Sequence, residues 1–363
     1  MQIIKPTFIV HKKKAVANIQ RMKAKIAVAG NNIRFRPHFK THQSLGVADW
    51  YRQQGISAIT VSSVDMAAQF VAAGWSDITI AVLVNRLEIQ RINQLTTTAS
   101  INLLIDSPET AAFLHHTVQQ PVGVWLKIDT GYHRTGIEWF LQEDILATAK
   151  ACVASPKLHF QGLLTHAGHS YHAHSVQQLK EIYHDTITKM SVLRDYLLHN
   201  GIPSVEISYG DTPTCSIIET FYGVDEIRCG NFVYNDVQQL FLGSCHAEDI
   251  AAVVACPVIA KYPQRNEIVV YGGAVHLSKD VAVAASGQKN FGLVAHPNLN
   301  SSSWAPPLKD TYVAALSQEH GVIKTTPQVL QQINVADILM IIPVHSCLAA
   351  DLLQHNARLA EDE

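Results

Sequence analysis

The side chains of this chain that could do chemistry are concentrated in short polar segments that follow apolar runs. One segment, residues 36–42, reads Arg-Pro-His-Phe-Lys-Thr-His, so that Lys40 stands between two histidines. A partly buried lysine loses its proton readily and can then attack a carbonyl carbon. This pattern predicts that Lys40 forms a Schiff base, although the residue alone would also suit a solvated loop.

Two other segments combine small residues with hydroxyl groups. Residues 208–214 read Ser-Tyr-Gly-Asp-Thr-Pro-Thr, and residues 228–231 read Arg-Cys-Gly-Asn. Small residues let backbone N–H groups approach an anion, and hydroxyls near a helix start add further donors. The two segments predict a phosphate site, with ordinary turns and helix caps as the alternative. An amine for an aldehyde and donors for a phosphate are together what pyridoxal phosphate requires.

A histidine and a cysteine stand two residues apart near the end of the chain, as His345-Ser346-Cys347 after an apolar run. In an extended chain, residues i and i+2 point to the same side, so the imidazole and the thiolate could converge on one cation. This pair suits Zn²⁺ best. A catalytic zinc usually has three protein ligands, and a buried cysteine beside a histidine cap is the alternative interpretation.

The elements that must position these residues alternate between strands and helices over the first two thirds of the chain. Eight strand-like runs end in polar or turn residues: Ile33–Phe39, Ala58–Ser63, Asp77–Val84, Ile101–Asp106, Val124–Asp129, Leu158–His166, Val205–Tyr209 and Glu226–Val233. The segments between most of them have helical spacing, as in Ser175–Leu198. Eight such units predict a (β/α)8 barrel of the TIM type, ahead of a doubly wound sheet. In such a barrel the active site lies at the C-terminal ends of the strands, where the polar segments fall.

The pattern changes after Gly243, where long helices give way to strand-like runs. These runs are Ile250–Ala260, Glu267–Val275, Tyr312–Ser317 and Val335–Pro343. The sequence therefore predicts an α/β protein with a barrel over residues 11–243. Residues 244–363, together with residues 1–10, are predicted to form a mostly β domain that carries His345 and Cys347.

Composition limits the class of protein. Charged residues are 16% of the 363, hydrophobic residues are 47%, and the formal net charge is −2, so neither disorder nor nucleic-acid binding is expected. The apolar stretches are shorter than the roughly 18–20 residues that span a bilayer. No secretory signal pattern opens the sequence, and the six cysteines form no CxxC pair. We expect a cytoplasmic protein with reduced thiols and no membrane association.

Seven motifs in order along the chain resemble those of the pyridoxal-phosphate enzymes of the alanine-racemase fold type (fold type III). Within that type, the resemblance is to the D-serine dehydratase and D-threonine aldolase group. The motifs are Pro37-His-Phe-Lys-Thr-His42, Lys127-Ile-Asp-Thr-Gly131 with Arg134-Thr-Gly136, His166-Ala-Gly-His-Ser-Tyr171, Ser208-Tyr-Gly-Asp-Thr-Pro-Thr214, Glu226-Ile-Arg-Cys-Gly-Asn231, Leu316-Ser-Gln-Glu-His-Gly321 and His345-Ser-Cys347.

The resemblance implies an alanine racemase-like barrel with a C-terminal β domain, a homodimer with shared active sites, and Lys40 as the cofactor lysine. Arg134 matches the arginine that faces the phenolic oxygen of the ring, and Arg228 corresponds to an arginine that racemases place against the ring nitrogen. His166 is a candidate catalytic residue and Tyr171 a candidate cofactor contact. The phosphate-holding positions are matched by Ser208, Gly210, Thr212, Gly230 and Asn231. Cys229 stands where the family usually has proline.

His345 and Cys347 match the metal pair of the zinc-binding dehydratases, whereas the aldolases carry aspartate at the second position. The resemblance thus favours a metal-assisted lyase that eliminates water from a β-hydroxy D-amino acid and yields a keto acid and ammonia, with Lys40 as the base that takes the α-proton. The alternatives are a D-threonine aldolase, which would release glycine and an aldehyde, an amino-acid racemase, and a non-catalytic pyridoxal-phosphate-binding protein. The residues after Gly243 count against the last of these.

Overall fold

The computed structural model describes residues 3–29, 32–284, 286–298 and 303–360. Its contacts divide the chain into two units. The barrel unit consists of Met22–Lys40 and Ala48–Gly230. The β unit consists of Met1–Arg21, Thr41–Val47 and Asn231–Glu363. Lys40 is thus the last residue of one segment of the barrel unit, and Thr41 is the first residue of a segment of the β unit.

Eight parallel strands form the sheet of the barrel unit. Barrel strands 1 to 8 are Arg34–Phe35, Ala58–Val61, Asp77–Leu83, Ser100–Ile105, Val122–Asp129, Leu158–Leu164, Glu206–Tyr209 and Glu226–Ile227. Each strand pairs in parallel with the next from strand 2 to strand 8, and strand 8 pairs in parallel with strand 1. A single parallel bridge from His38 to Thr60 nearly closes the ring. The predicted TIM-type barrel is confirmed.

Helices alternate with these strands along the sequence. They are Lys12–Ala29, Leu45–Gln53, Val64–Ala72, Ile89–Leu95, Pro108–Thr117, Gln142–Val153, Val176–His199, Thr212–Ile217 and Val237–Phe241. Ser63, Ser107 and Ser175 each accept the backbone N–H three residues on, which satisfies a donor that would otherwise lack a partner at the helix start. The helix predicted over Ser175–Leu198 is confirmed, with Ser175 as its cap.

Barrel strands 1 and 8, Arg34–Phe35 and Glu226–Ile227, are shorter than the sequence predicts. Pairing nevertheless continues past their ends, since the Arg36 N–H donates to the Ile227 carbonyl at 2.9 Å and the His38 N–H to the Cys229 carbonyl at 3.1 Å. The chain then turns into single 3-10 turns, Phe39–Thr41 after strand 1 and Asn231–Val233 after strand 8.

The β unit contains a mainly antiparallel eight-stranded sheet. Its strands are Thr7–His11, Ala252–Tyr262, Glu267–Tyr271, Gly292–Ala295, Tyr312–Leu316, His320–Lys324, Ile338–Pro343 and Ala357–Ala360. Ala282–Val283 and Lys289–Asn290 form a separate pair, and the short helices are Ala274–Leu277, Pro327–Gln332 and Ser346–Leu352. The four strand-like runs predicted after residue 243 are confirmed as strands. The separate pair escaped prediction, as did three further strands of the large sheet: Gly292–Ala295, His320–Lys324 and Ala357–Ala360.

One predicted strand of the β unit ends early, at Tyr271 rather than Val275. A Cβ on Gly273 would lie 2.4 Å from the carbonyl oxygen of Gln318. The backbone therefore approaches a neighbouring segment here as only glycine allows, and the chain leaves the sheet to form the helix Ala274–Leu277.

Alternate residues of the central strands fill the core of the β unit. Val253 and Ala255 project to one side of their strand, as Met340 and Ile342 do from theirs. Val344 belongs to the same cluster and is 2% exposed, so the core holds the chain immediately before His345. Within the residues described, no helix has both the length and the apolar character needed to cross a bilayer.

Candidate active site

Lys40 lies in the 3-10 turn Phe39–Thr41 after barrel strand 1, with an exposed side chain. The preceding residue, Phe39, is fully buried, and its ring centroid lies 5.0 Å from those of Tyr51 and Phe70 and 5.1 Å from that of Trp75. This aromatic packing fixes the turn and presents the Lys40 amine at the C-terminal end of the barrel.

His166 follows barrel strand 6, and its Nδ1 lies 2.5 Å from the carbonyl oxygen of Gly210. A carbonyl accepts only, so Nδ1 carries the proton and Nε2 keeps its lone pair. Burial lowers the pKa of His166 well below its usual value, and the nearby charges of Lys40, Arg134 and Lys127 lower it further. The structure thus brings together the predicted Lys40, Arg134 and His166, with His166 as a neutral base or acceptor.

Two tyrosines flank the His166 ring. The Tyr132 ring centroid lies 5.9 Å from that of His166, and the Tyr171 centroid lies 6.3 Å away on a tilted ring. The Arg134 guanidinium lies 5.0 Å above the Tyr132 ring, as a cation–π contact. Tyr132 was not among the predicted site residues. Its ring packs so closely on Gly168 that a Cβ at Gly168 would lie 2.5 Å from the ring.

Ser208 and Arg228 are buried between barrel strands. The Ser208 hydroxyl accepts a hydrogen bond from Arg228 Nε at 2.7 Å and donates to Glu226 Oε1 at 2.7 Å. Arg228 Nη2 also donates to the Thr165 carbonyl at 2.5 Å. The Ser208 hydroxyl, predicted to hold phosphate, is thus engaged by neighbouring residues of the barrel.

Gly210 and Thr212 lie between barrel strand 7 and the short helix Thr212–Ile217. A Cβ on Gly210 would lie 2.9 Å from the Arg228 carbonyl carbon, so the two loops approach as closely as glycine permits. Asp211 caps the helix by accepting the Thr214 N–H at 2.9 Å, and it also accepts the Ser170 hydroxyl at 2.8 Å. The predicted phosphate loop is therefore held by a buried carboxylate that was not among the predicted site residues.

Gly230 closes the barrel unit after Cys229. The Cys229 and Cys215 thiols are hydrogen-bond partners. The cysteine that stands in place of the usual proline therefore packs against the helix that follows the phosphate loop. Asn231, the next predicted residue, belongs to the β unit.

Lys127 is a buried lysine on barrel strand 5 that was not among the predicted site residues. Its Nζ donates to the Ile128 carbonyl at 2.9 Å, and the residue is 7% exposed. Burial, followed by the charge of Arg228, lowers the pKa of Lys127 to about 7. The signal in the sequence was a single lysine within a run of otherwise apolar strand residues, where a charge is unexpected.

His345 and Cys347 converge in the β unit. Their side chains are hydrogen-bond partners of each other, and the Cys347 Sγ lies 3.3 Å from the Thr41 hydroxyl. His345 Nδ1 lies 3.4 Å from Gln238 Oε1. Burial alone would lower the pKa of His345, yet the facing sulfur of Cys347 and the Asp236 carboxylate raise it to about 9. Thr41 and Gln238 escaped prediction because each is far from His345 and Cys347 in the sequence and approaches them only in the folded chain.

Asn231 joins the segment of the metal pair to the start of the helix Val237–Phe241. Its Nδ2 donates to Asp236 Oδ2 at 2.7 Å, and its Oδ1 accepts the Ser346 hydroxyl at 2.6 Å. The Ser346 N–H donates to the same Asp236 oxygen at 3.0 Å. The side chain of Asn231, predicted to hold phosphate, is therefore engaged in fixing the residue between His345 and Cys347.

The chemistry of these two donor sets fits the groups that the sequence implies. An imidazole and a thiol directed at each other suit a soft divalent cation such as Zn²⁺. No third His, Cys, Asp or Glu joins them within the described part of the chain, so further positions would belong to water or substrate. In the barrel unit, the Lys40 amine, the Arg134 guanidinium and the neutral His166 imidazole suit the aldehyde and ring of pyridoxal phosphate, and the loops around Gly210 and Gly230 suit its phosphate.

Two family descriptions match the chain in succession. The alanine racemase N-terminal domain matches residues 10–237, and the putative serine dehydratase domain matches residues 251–357. The first match covers the eight barrel strands, and the second contains His345 and Cys347.

Similar proteins cover most of this chain. A D-serine dehydratase from Dictyostelium discoideum is 28% identical, over 92% of this chain and 87% of its own length. A D-threo-3-hydroxyaspartate dehydratase from Delftia sp. (strain HT23) is 28% identical, over 98% of this chain and 94% of its own. A solved structure of a D-threo-3-hydroxyaspartate dehydratase, a cysteine-to-alanine mutant in the metal-free form, has a TM-score of 0.88 at 26% identity and covers 97% of this chain and 93% of its own.

Proposed function

This chain belongs to the alanine racemase N-terminal domain family of pyridoxal-phosphate enzymes, and we propose that it is a zinc-assisted dehydratase of β-hydroxy D-amino acids. The reaction would remove water from the substrate, and hydrolysis of the released enamine would then give a keto acid and ammonia. The observation that carries the proposal is the convergence of His345 and Cys347 within the region matched by the putative serine dehydratase domain. The two similar dehydratases, each 28% identical over nearly the whole chain, support the same reaction class.

The side chains of the barrel unit supply binding and proton transfer in this proposal. The amine of Lys40 would hold the cofactor and would serve as the base for the α-proton. His166 would offer its Nε2 lone pair as a hydrogen-bond acceptor, and its strongly lowered pKa keeps it from competing for that proton. Arg134 and Tyr171 would contact the cofactor ring. The segments that contain Ser208, Gly210, Thr212, Gly230 and Asn231 would hold the phosphate.

The cofactor supplies an electron sink for the α-carbon, and a zinc ion held by His345 and Cys347 supplies a Lewis acid for the β-hydroxyl. The sulfur of Cys347 and the imidazole of His345 would be the two protein donors of that ion, each giving up a proton when the ion binds. Cys347 is 7% exposed, so the pair is largely shielded from bulk water.

We also infer a homodimer with shared active sites and a cytoplasmic location. The first follows from the family resemblance. The second is supported by the cysteines, since all six are buried and none forms a disulfide, and reduced thiols are typical of a reducing compartment.

The test is a product assay on the purified chain supplied with pyridoxal phosphate and Zn²⁺. D-serine and D-threonine are offered separately, and keto acid with ammonia is measured beside glycine with aldehyde. Keto acid and ammonia are expected, and Cys347→Ala should greatly reduce them while leaving the cofactor absorbance in place. Cys256→Ala, which changes a buried thiol of a sheet strand, is the matched control.

Glycine and aldehyde would instead identify an aldolase. Solvent deuterium in both enantiomers would identify a racemase. Retention of the cofactor without any turnover would favour a binding protein.

A further inference from the structure

We propose that Thr41 and Gln238 are positioning residues that aim the Cys347 sulfur and the His345 imidazole at one cation. The inference rests on the proposed metal-assisted function and goes beyond it, because neither residue belongs to the H-x-C motif. Both act through a hydrogen bond to a ligand side chain rather than through contact with the metal. Outer partners of this kind fix ligand orientation, and losing one typically weakens metal binding by about 10–100-fold.

Thr41 acts on the sulfur. Its side chain is fully buried, and its Oγ1 lies 3.3 Å from Cys347 Sγ, although 306 residues separate the two in the chain. A thiol donates its proton to the hydroxyl, whereas a thiolate accepts the hydroxyl proton. In either form the hydrogen bond joins the same two atoms. The contact therefore favours one rotamer of Cys347.

Gln238 acts on the imidazole. It is the second residue of the helix Val237–Phe241, and its backbone N–H donates to the Val344 carbonyl at 3.2 Å, directly before His345. Its Oε1 lies 3.4 Å from His345 Nδ1. An amide oxygen can only accept, so this partner favours the proton on Nδ1 and leaves Nε2 to bind a cation.

The backbone between the two ligands is already fixed from the other side. Ser346 is fully buried, its N–H and hydroxyl bind Asp236 and Asn231, and Asp236 also caps the helix that carries Gln238. This framework sets the position of the Ser346 backbone but not the rotation of the flanking side chains. That rotation is what the contacts of Thr41 and Gln238 restrict.

The experiment uses the full chain with pyridoxal phosphate bound and measures metal binding directly. Zn²⁺ affinity is obtained by competition with a chelator, and Co²⁺ is added separately to read the thiolate-to-cobalt absorption band. Thr41→Val keeps the shape of the side chain but removes the hydroxyl, so we expect about 10–100-fold weaker Zn²⁺ binding and a shifted cobalt band. Thr41→Ser restores the hydroxyl and should recover most of the affinity.

Gln238 is tested in the same way. Gln238→Leu removes the acceptor for Nδ1 and should weaken Zn²⁺ binding within the same range, whereas Gln238→Glu keeps an acceptor and should retain it. Two controls remove similar groups elsewhere in the β unit. Thr325→Val breaks the buried hydroxyl contact with Thr311, and Gln332→Leu changes an exposed side chain. Both controls should bind Zn²⁺ and Co²⁺ as the wild type does.

The outcomes separate the inference from the function on which it rests. If the wild type binds Zn²⁺ through His345 and Cys347 but Thr41→Val and Gln238→Leu bind it equally well, the positioning role is overturned and the proposed dehydratase stands. If the wild type binds no Zn²⁺ at all, both are overturned. Cofactor absorbance is recorded for every variant, because a loss of affinity accompanied by loss of the Lys40 signal would point to general distortion and contradict the specific role.

Discussion

At the scale of single residues, burial disfavours the charged forms of two side chains of the barrel unit. Lys127 is buried within strand 5, and burial lowers the pKa of its ammonium group to about 7. Burial likewise lowers the pKa of His166 well below its usual value, so His166 stays neutral. Lys40, by contrast, is exposed at the end of strand 1.

Lys40→Ala should abolish both the visible absorbance of the lysine-bound cofactor and the turnover of substrate. Lys40 is the lysine exposed at the C-terminal end of barrel strand 1, and the proposed mechanism uses its amine twice. The measurement is an absorbance spectrum and a keto-acid assay on the same sample. Lys150→Ala, which changes an exposed lysine on the helix Gln142–Val153, is the control. Undiminished turnover in Lys40→Ala would refute the assignment.

Lys127 should make stability rise with pH above neutrality. The folded protein releases this proton near pH 7, whereas the unfolded chain keeps it to about pH 10.4. Between these values the unfolded state binds more protons, so the free energy of unfolding increases with pH, by at most about 1.4 kcal/mol per pH unit. As the pH increases above about 7, the free energy of unfolding of the wild type should therefore rise relative to that of Lys127→Met.

The measurement for Lys127 is urea unfolding of both proteins between about pH 6 and about pH 9, a range chosen to span the shifted pKa and part of the window above it. The difference between the two should stay flat below neutrality, where Lys127 is protonated in both states, and grow above it. A difference that does not change with pH would contradict the assigned burial effect.

At the scale of elements, buried ion pairs join neighbouring barrel strands. Glu226 on strand 8 is fully buried and accepts from Arg36 Nε at 2.8 Å, while Arg36 also binds Asp77 on strand 3 at 2.6 Å. Burial alone would raise the pKa of Glu226, but the Arg36 charge holds it below its usual value. The same carboxylate accepts from Ser208, which holds Arg228. The Glu226 carboxylate on strand 8 is thus connected to strand 7 through Ser208 and to strand 3 through Arg36.

Glu226→Gln should destabilise the barrel unit by about 3–5 kcal/mol, because it removes the charge that compensates the buried Arg228 cation and one of the two carboxylates that bind Arg36. Glu206→Gln is the matched control, since Glu206 pairs with the partly exposed Arg34 and such a pair contributes about 0–1 kcal/mol. Urea unfolding of both variants at neutral pH is the measurement. Equal urea midpoints for the two variants would show that the buried network does not stabilise the fold.

At the scale of the whole molecule, a second copy of the chain is expected. Leu348 and Leu352, one turn apart on the helix Ser346–Leu352, are 43% and 45% exposed. Covering these apolar side chains would stabilise an assembly of two chains by about 25 cal/mol for each Å² removed from water. We expect a symmetric dimer that buries them and on which activity depends.

Sedimentation equilibrium should give a mass of two chains of 40.0 kDa. Dilution should lower the specific activity in parallel with the dimer fraction. Leu352→Lys should shift the equilibrium toward monomer, whereas Leu198→Lys, which changes an exposed leucine on a barrel helix, should leave it unchanged. A monomer with full specific activity would exclude shared sites.

The sequence by itself determined the order of strands and helices, the barrel, the position of Lys40 and the spacing of His345 and Cys347. These features depend on residues close together in the chain, through apolar periodicity, turn residues and i, i+2 geometry. Only the tertiary structure decided the proton position on His166, the near-neutral pKa of Lys127, the engagement of Ser208 and Asn231, and the contact of Thr41 with Cys347. Those properties arise from burial and from partners distant in sequence, which local periodicity does not encode.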